Sequence, residues 1–284
     1  MFNSKEKMER RLEHIQVGDN DELVYVSKGI FDYFDQNNFP RLLAEYEFAK
    51  SRGARFFVGL YSTEIMERAK HIRPLKDKVT DQDRINLVES LDFVDGAFLI
   101  DSLDPRQVLQ AIQDKILAQQ SIGEVKPLAT PKKYKVGYAS GAFSNFHKGH
   151  AEHLKMMSEQ CDTVIVAANS DRLIQEYKNK TATVPEELRR EIIDHIKYVD
   201  KAIIVDEYDK VEAVKKIREN EGLSVDAIFV GSDWMGDPKW RSFESRLAEL
   251  GVVVEFTDRP KDGISTTVID KNKGSHKEFR PECR

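Results

Sequence analysis

The sequence predicts an α/β protein built on parallel sheets with helices on both faces, and it predicts that unit twice. Three observations lead there. Short apolar runs of strand type alternate with stretches of helical period from residue 23 to residue 256. Glycines and polar turns separate the two kinds of segment, and the spacing leaves room for a helical return between consecutive strands. Two segments of the first 101 residues also reappear, in the same order, in the second half of the chain.

Taken in order, residues 1–20 are charged, with an apolar period only at Met8, Leu12 and Ile15, and predict a leading helix or arm. Leu23 to Val26 reads as the first strand and Lys28 to Phe34 as the turn out of it. FPRLLAEYEFAKSRG is helical and closes on Gly53, a C-terminal cap. Arg55 to Leu60 is a strand, about Asp81 to Leu91 a helix, and Gly96 to Ile100 a strand. Pro105 to Gln119 is helix-like. Two prolines and a glycine in Ser121 to Lys133 mark a linker. The domains expected are therefore 1–120, a linker at 121–133, and 134–284.

The second half continues with strands at Lys135 to Ala139, Thr163 to Ala168, Ala202 to Val205, Ala227 to Val230 and Val252 to Phe256. Helices are expected at Ala151 to Gln160, Pro185 to Lys197, Val211 to Glu219 and Phe243 to Leu250. Ser170 to Thr183 reads as a polar loop carrying Lys178 and Lys180.

The internal repeat is read from two alignments. Val24 to Asn38 lies over Val136 to His150 at an offset of 112, matching Gly29 to Gly141, Phe31 to Phe143 and Phe34 to Phe146. Val79 to Asp101 lies over Val184 to Asp206 at an offset of 105, matching Arg84 to Arg189 and Val94-Asp95 to Val199-Asp200. The two offsets differ only by a change of loop length. Where the second copy has His147-Lys148-Gly149-His150, the first has Asp35-Gln36-Asn37-Asn38, with neither imidazole nor glycine. The first copy is thus expected to be a non-catalytic scaffold that supplies packing or dimer contacts.

Composition bounds the function. With 40% hydrophobic and 33% charged residues, the chain reads as a soluble globular protein, and a net charge of −5 gives no reason to expect a nucleic-acid partner. No apolar run approaches the roughly 20 residues of a membrane helix, and no apolar signal-peptide core opens the sequence. Cys161 and Cys283 suggest no disulfide framework, so a reducing, cytoplasmic setting is expected.

The chemistry concentrates in KVGYASGAFSNFHKGH, Lys135 to His150: a strand, a turn at Gly141 to Phe143, then two histidines at the opening of a helix. A helix N-terminus offers unpaired N–H groups and about half a positive charge, so anions bind there. Gly149 removes the Cβ that would hold a phosphate off the backbone. Two imidazoles three residues apart add donors on one side of that turn. In a parallel α/β sheet, ligands sit beyond the carboxyl ends of the strands. The other turns at those ends are Gly231-Ser232-Asp233-Trp234 and Thr257 to Thr267. Gly263 to Thr267 reads as a glycine turn before a short helix. Taken alone, Ser265 to Thr267 is an ordinary N-cap; facing the histidine turn, it becomes a polyphosphate clamp.

SGAFSNFHKGH, Lys178-Asn179-Lys180, ELRREIIDHIKYVD, VGSDW and GISTT together resemble the cytidylyltransferase family of the nucleotidyltransferase superfamily, on the glycerol-3-phosphate branch, over Lys135 to about Ile269. The resemblance implies two tandem Rossmann-like domains, the first degenerate. It implies CTP with Mg²⁺, and CMP transfer to a small phosphorylated alcohol such as glycerol 3-phosphate, giving a CDP-alcohol and pyrophosphate. It assigns His147, His150, Lys178, Lys180 and Arg189 to charge stabilisation in the transition state. Gly141, Ala142, Phe143, Gly149, Gly231, Asp233, Trp234, Ser265, Thr266 and Thr267 fall to the nucleotide, and Lys197 and Arg259 to the acceptor; no metal ligand is assigned. Three positions depart from the family pattern: Ser144 stands for its Asp, Lys197 for its Arg, and Pro260 for a second Arg, with Arg259 one residue early. Lysine does not reproduce the planar two-bond grip of arginine on phosphate, so these changes bear on the acceptor. The rival readings are an adenylyltransferase of the same superfamily and a catalytically inactive nucleotide-binding regulator.

Overall fold

The computed structural model describes residues 13–17, 22–70, 75, 77–102, 104–121, 131–258 and 264–272. The chain divides into two compact units, 1–128 with 267–284 and 129–266. The sequence predicts one domain over 134–284, whereas Thr267 to Asn272 group with the first unit.

In the first unit, β2 (Glu22–Gly29), β3 (Arg55–Tyr61) and β4 (Gly96–Ile100) pair in parallel in that order. α1 (Phe39–Ser51), α2 (Thr63–Arg68), α3 (Asp81–Val88) and α4 (Pro105–Ser121) complete it. The leading segment corrects the helix-or-arm expectation: Glu13–Val17 is a strand, β1, antiparallel on the free edge of β2. Five residues have no stable structure alone, and the open edge supplies the hydrogen bonds that make them a strand.

In the second unit, β5 (Tyr134–Gly141), β6 (Cys161–Asn169), β7 (Lys201–Val205), β8 (Ala227–Gly231) and β9 (Val253–Thr257) form one parallel sheet in the order β7-β6-β5-β8-β9. The helices are α5 (Lys148–Gln160), α6 (Asp171–Lys178), α7 (Glu186–Asp194), α8 (Lys210–Glu221) and α9 (Pro238–Glu249), with a single 3₁₀ turn at Ser232–Trp234. α10 (Thr266–Asn272) follows β9 in the chain, and all of it after Thr266 belongs to the first unit. The polar stretch expected as a loop contains α6, started by the Ser170 hydroxyl, which accepts from the Leu173 amide. One apolar core packs Val136, Tyr138, Ile165 and Ala167 of the sheet against Val211, Val214 and Ile217 of α8 and Trp240, Phe243 and Leu247 of α9. Among the described residues no helix is long and apolar enough to cross a membrane.

The aligned positions of the two units share unusual geometry. Phe31 and Phe143 both have positive φ, 51° and 49°. Asp95 accepts from the Phe56 amide and Asp200 from the Val164 amide, pinning the start of the neighbouring strand in each unit. The amide of Ser62 donates to the carbonyl of Ile100, as that of Ser170 does to Val205. The buried arginines correspond as well. Arg84 donates to the carbonyls of Ile30 and Tyr61, and Arg189 to those of Ala142 and Asn169.

Candidate active site

The switch point of the second sheet lies between β5 and β8, where the chain has run outward through β6 and β7 and returns to the other side of β5. Pairing of β5 with β8 ends at Tyr138 and Ile228, whereas pairing with β6 continues to Gly141 and Ala168. Beyond Tyr138 the two central strands separate. The turn Gly141 to His147 leaves the sheet at that fork.

The turn is held from beneath. Phe143 in its left-handed conformation lies against Gly141, where an added Cβ would come within 3.1 Å of the Phe143 ring. Asn145 and Phe146 are fully buried. His147 is the N-cap residue of α5, and its amide lies 3.4 Å from His150 Nδ1. The two imidazoles stack at 3.8 Å between ring centres, with Phe143 edge-on to His150 at 5.0 Å. His147 is buried and His150 half-buried. The rings stand on the first turn of a 13-residue helix, where backbone N–H groups and the helix dipole both favour an anion. A Cβ at Gly149 would lie 4.0 Å from the carbonyl of Ile264, so the segment leading to Ser265 and Thr266 runs against this helix start.

Two further strands deliver groups to the same edge. The 3₁₀ turn after β8 carries exposed Asp233 and half-buried Trp234, whose ring lies 6.5 Å from Trp240. Thr257 ends β9 and holds His153 of α5 at 3.0 Å, a contact that no sequence motif announces. Among the described residues no group of three or more His, Cys, Asp or Glu could hold a metal ion.

Several expected site residues fall elsewhere. Arg189 is fully buried, and its guanidinium is taken up by the carbonyls of Val184, Ala142 and Asn169 and by Asp171 at 2.5 Å. Its work is to hold Ala142, and with it the turn, in place. Lys197 lies in the turn between α7 and β7, at the amino edge of the sheet, with its ammonium 5.5 Å from the Tyr198 ring. β7 separates it from the carboxyl edge by about 16 Å, at 3.3 Å per residue over five residues, so it lies at the opposite end of the sheet from the histidine turn. Lys178 ends α6 and Lys180 is exposed just beyond it. Arg259 lies outside the described residues. Ser265 and Thr266 belong to the second unit and Thr267 to the first.

The Cytidylyltransferase-like family matches residues 138–272. FAD synthase from Archaeoglobus fulgidus is 34% identical over 116 residues, 41% of this chain and 79% of that protein. The bifunctional protein HldE from Campylobacter curvus is 27% identical over 158 residues, 52% of this chain, which spans only 32% of HldE. A solved structure, the lipopolysaccharide core biosynthesis protein from Thermoplasma volcanium, is 26% identical and aligns with 45% of this chain and 97% of its own at a TM-score of 0.37. With one relative matched at this identity over four-fifths of its length, and the family match running from β5 through α10, the chain belongs to the cytidylyltransferase-like family of the nucleotidyltransferase superfamily.

Proposed function

We propose that the second unit transfers CMP from CTP to the phosphate of a small phosphorylated alcohol. An oxygen of the acceptor phosphate bonds to the α-phosphorus, the bond to the β-phosphate bridging oxygen breaks, and pyrophosphate leaves with the electron pair. Such transfer requires positioning and charge stabilisation, with no protein nucleophile. The observation that carries the reading is the stacked His147–His150 pair on the first turn of α5, with the segment before Ser265 and Thr266 against Gly149. The imidazoles and helix amides would hold the triphosphate from one side and the two hydroxyls from the other. Asp233 and Trp234, on the turn after β8, would meet the nucleoside.

Magnesium in this chemistry is bound chiefly by phosphate oxygens and water, with one or two carboxylates. Exposed Asp233 after β8 and Asp258 after β9 are two of the carboxylates at this edge. Bound there with the nucleotide, the ion would offset phosphate charge. The first unit we read as a non-catalytic repeat.

A second reading is adenylyl transfer, favoured by the 34% identity to an enzyme whose name is FAD synthase, since FAD contains an adenylyl group. Pyrophosphate release by the purified chain, with CTP and ATP supplied separately and glycerol 3-phosphate among a panel of phosphomonoesters, separates the two. Faster turnover with CTP is expected; turnover with ATP alone selects the second reading, and release with neither nucleotide defeats both.

A further inference from the structure

The mechanism leaves the half-buried amine of Lys210 unused. Lys210 opens α8, and its ammonium donates to the Ser140 hydroxyl at 2.9 Å. Among the described residues it forms no ion pair. The carboxylates around it are engaged elsewhere: Asp209 caps the amides of Val211 and Glu212 and pairs with Arg246 at 2.6 Å, and Glu207 pairs with Lys216. The Tyr138 phenol, wholly buried two residues before Ser140, is pushed by burial well above its usual range and stays neutral. Burial lowers the Lys210 amine to about 8, with Asp209 opposing. The first position of a helix is also where the dipole disfavours a cation. The carboxylates nearest the amine are thus each held by another cation.

Its location says which anion fits. Ser140 is half-buried and sits past the point where β5 and β8 part, so the pair opens on the fork beneath the histidine turn. Val136 and Tyr138 of β5 pack against α8, and Ser140 continues that alternation on the same face. With right-handed crossovers, the reversal of direction after β7 puts α8 on the opposite face from α5. The carboxyl end of β5 is flanked by the histidine pair on one side and by Lys210 on the other. In phosphoryl-type transfer the attacking and leaving oxygens stand roughly in line across the phosphorus. A triphosphate held at α5 sends its pyrophosphate to that side and admits the attacking phosphate from the other.

We propose that Lys210, oriented by Ser140, binds the attacking phosphate of the acceptor from the face opposite the histidine pair. The inference rests on the transfer reaction proposed above and names the acceptor as a phosphate dianion met by this amine.

The test uses the full chain with Lys210→Met, which keeps the apolar stem and leaves no carboxylate unpaired, and with Ser140→Ala. Two acceptors serve as probes: glycerol 3-phosphate, and 3-phosphoglycerate, which adds a carboxylate at the far end. Lys210→Met should raise KM for both by about tenfold or more, the scale of one charge-assisted hydrogen bond, with the nucleotide KM unchanged and the melting temperature the same or higher. Ser140→Ala should act in the same direction by less. Calorimetry of glycerol 3-phosphate binding to the nucleotide-free chain should show the same loss. Unchanged acceptor KM, or an equal rise in nucleotide KM, overturns the proposal. A loss confined to 3-phosphoglycerate also overturns it, because Lys210 would then hold the far end. If no nucleotide releases pyrophosphate but glycerol 3-phosphate binding still depends on Lys210, the transfer reading fails and the phosphate site stands; if wild type neither binds nor turns over, both fall.

Discussion

Asp35–Asn38 and His147–His150 stand at aligned positions, just before α1 and across the start of α5, and they treat the local amides in opposite ways. In the first unit the buried Asp35 carboxylate accepts from the amides of Asn37 and Asn38 and from the Asn37 side chain, while Asn38 donates to the carbonyl of Tyr33. The turn is closed on itself by an internal anion. In the second unit two imidazoles stand there, with a glycine between them. The aligned turns thus present a carboxylate in one unit and imidazole donors in the other, and on charge the first would repel a triphosphate. The buried arginines make the complementary point. Arg84 and Arg189 make the same kind of contacts, each donating to a carbonyl after its unit's first parallel strand and to one at the end of the next.

The arginines give the largest expected effect. Arg84→Ala should cost the first unit about 3–5 kcal/mol, because it removes the cation beside Asp32, itself 1% exposed, and strands the carbonyls of Ile30 and Tyr61. Arg189→Ala should cost the second unit less, about 1–3 kcal/mol, since it strands buried carbonyls beside the half-exposed Asp171. Hydrogen exchange of each unit reads the two losses separately. A normal turnover number in a folded Arg189→Ala chain would confine Arg189 to stability; loss of turnover without loss of protection would restore it to the site.

Next come the histidines. His147→Ala or His150→Ala should lower kcat by about 10²-fold or more, each removing a donor aimed at developing charge. Asp35→Ala should leave kcat within twofold of wild type and cost about 1 kcal/mol of stability, as the loss of a cap does. Comparable kcat losses at both turns would erase the distinction between the units. Calorimetry sharpens it further: nucleotide should titrate to one site per chain, and two equivalent sites would mean that Asp35 does not exclude it.

The smallest effect is a pH dependence confined to the second unit. The Lys210 amine titrates at about 8 in the folded chain, chiefly through burial, and near 10.4 when unfolded. Between those values the unfolded chain binds a proton the folded one has shed, so stability rises as pH goes from about 8 to about 10. Lys210→Met should abolish that rise, and an identical slope in both proteins would place the amine in solvent.

Periodicity alone carried the alternation of strands and helices, the histidines at the start of α5 and the alignment of the two halves, because apolar spacing and turn residues act over a few neighbours. β1 and α6 were not legible. β1 exists through the edge of β2, and α6 is polar, with its start set by a single hydroxyl.

Residue type reports what a side chain can do, and only the tertiary structure decides where it does it. Arg189 and Lys197 both read as phosphate ligands from their motif. One is drawn inward because three buried carbonyls need donors; the other is carried to the amino edge because a parallel strand begins opposite the end where its ligands collect. Lys210 belongs to no motif and sits among ordinary helix residues in the sequence. Its meeting with Ser140, 70 residues away, depends on the chain crossing back over the sheet after β7, and strand order is a property of the packed core and not of any local stretch.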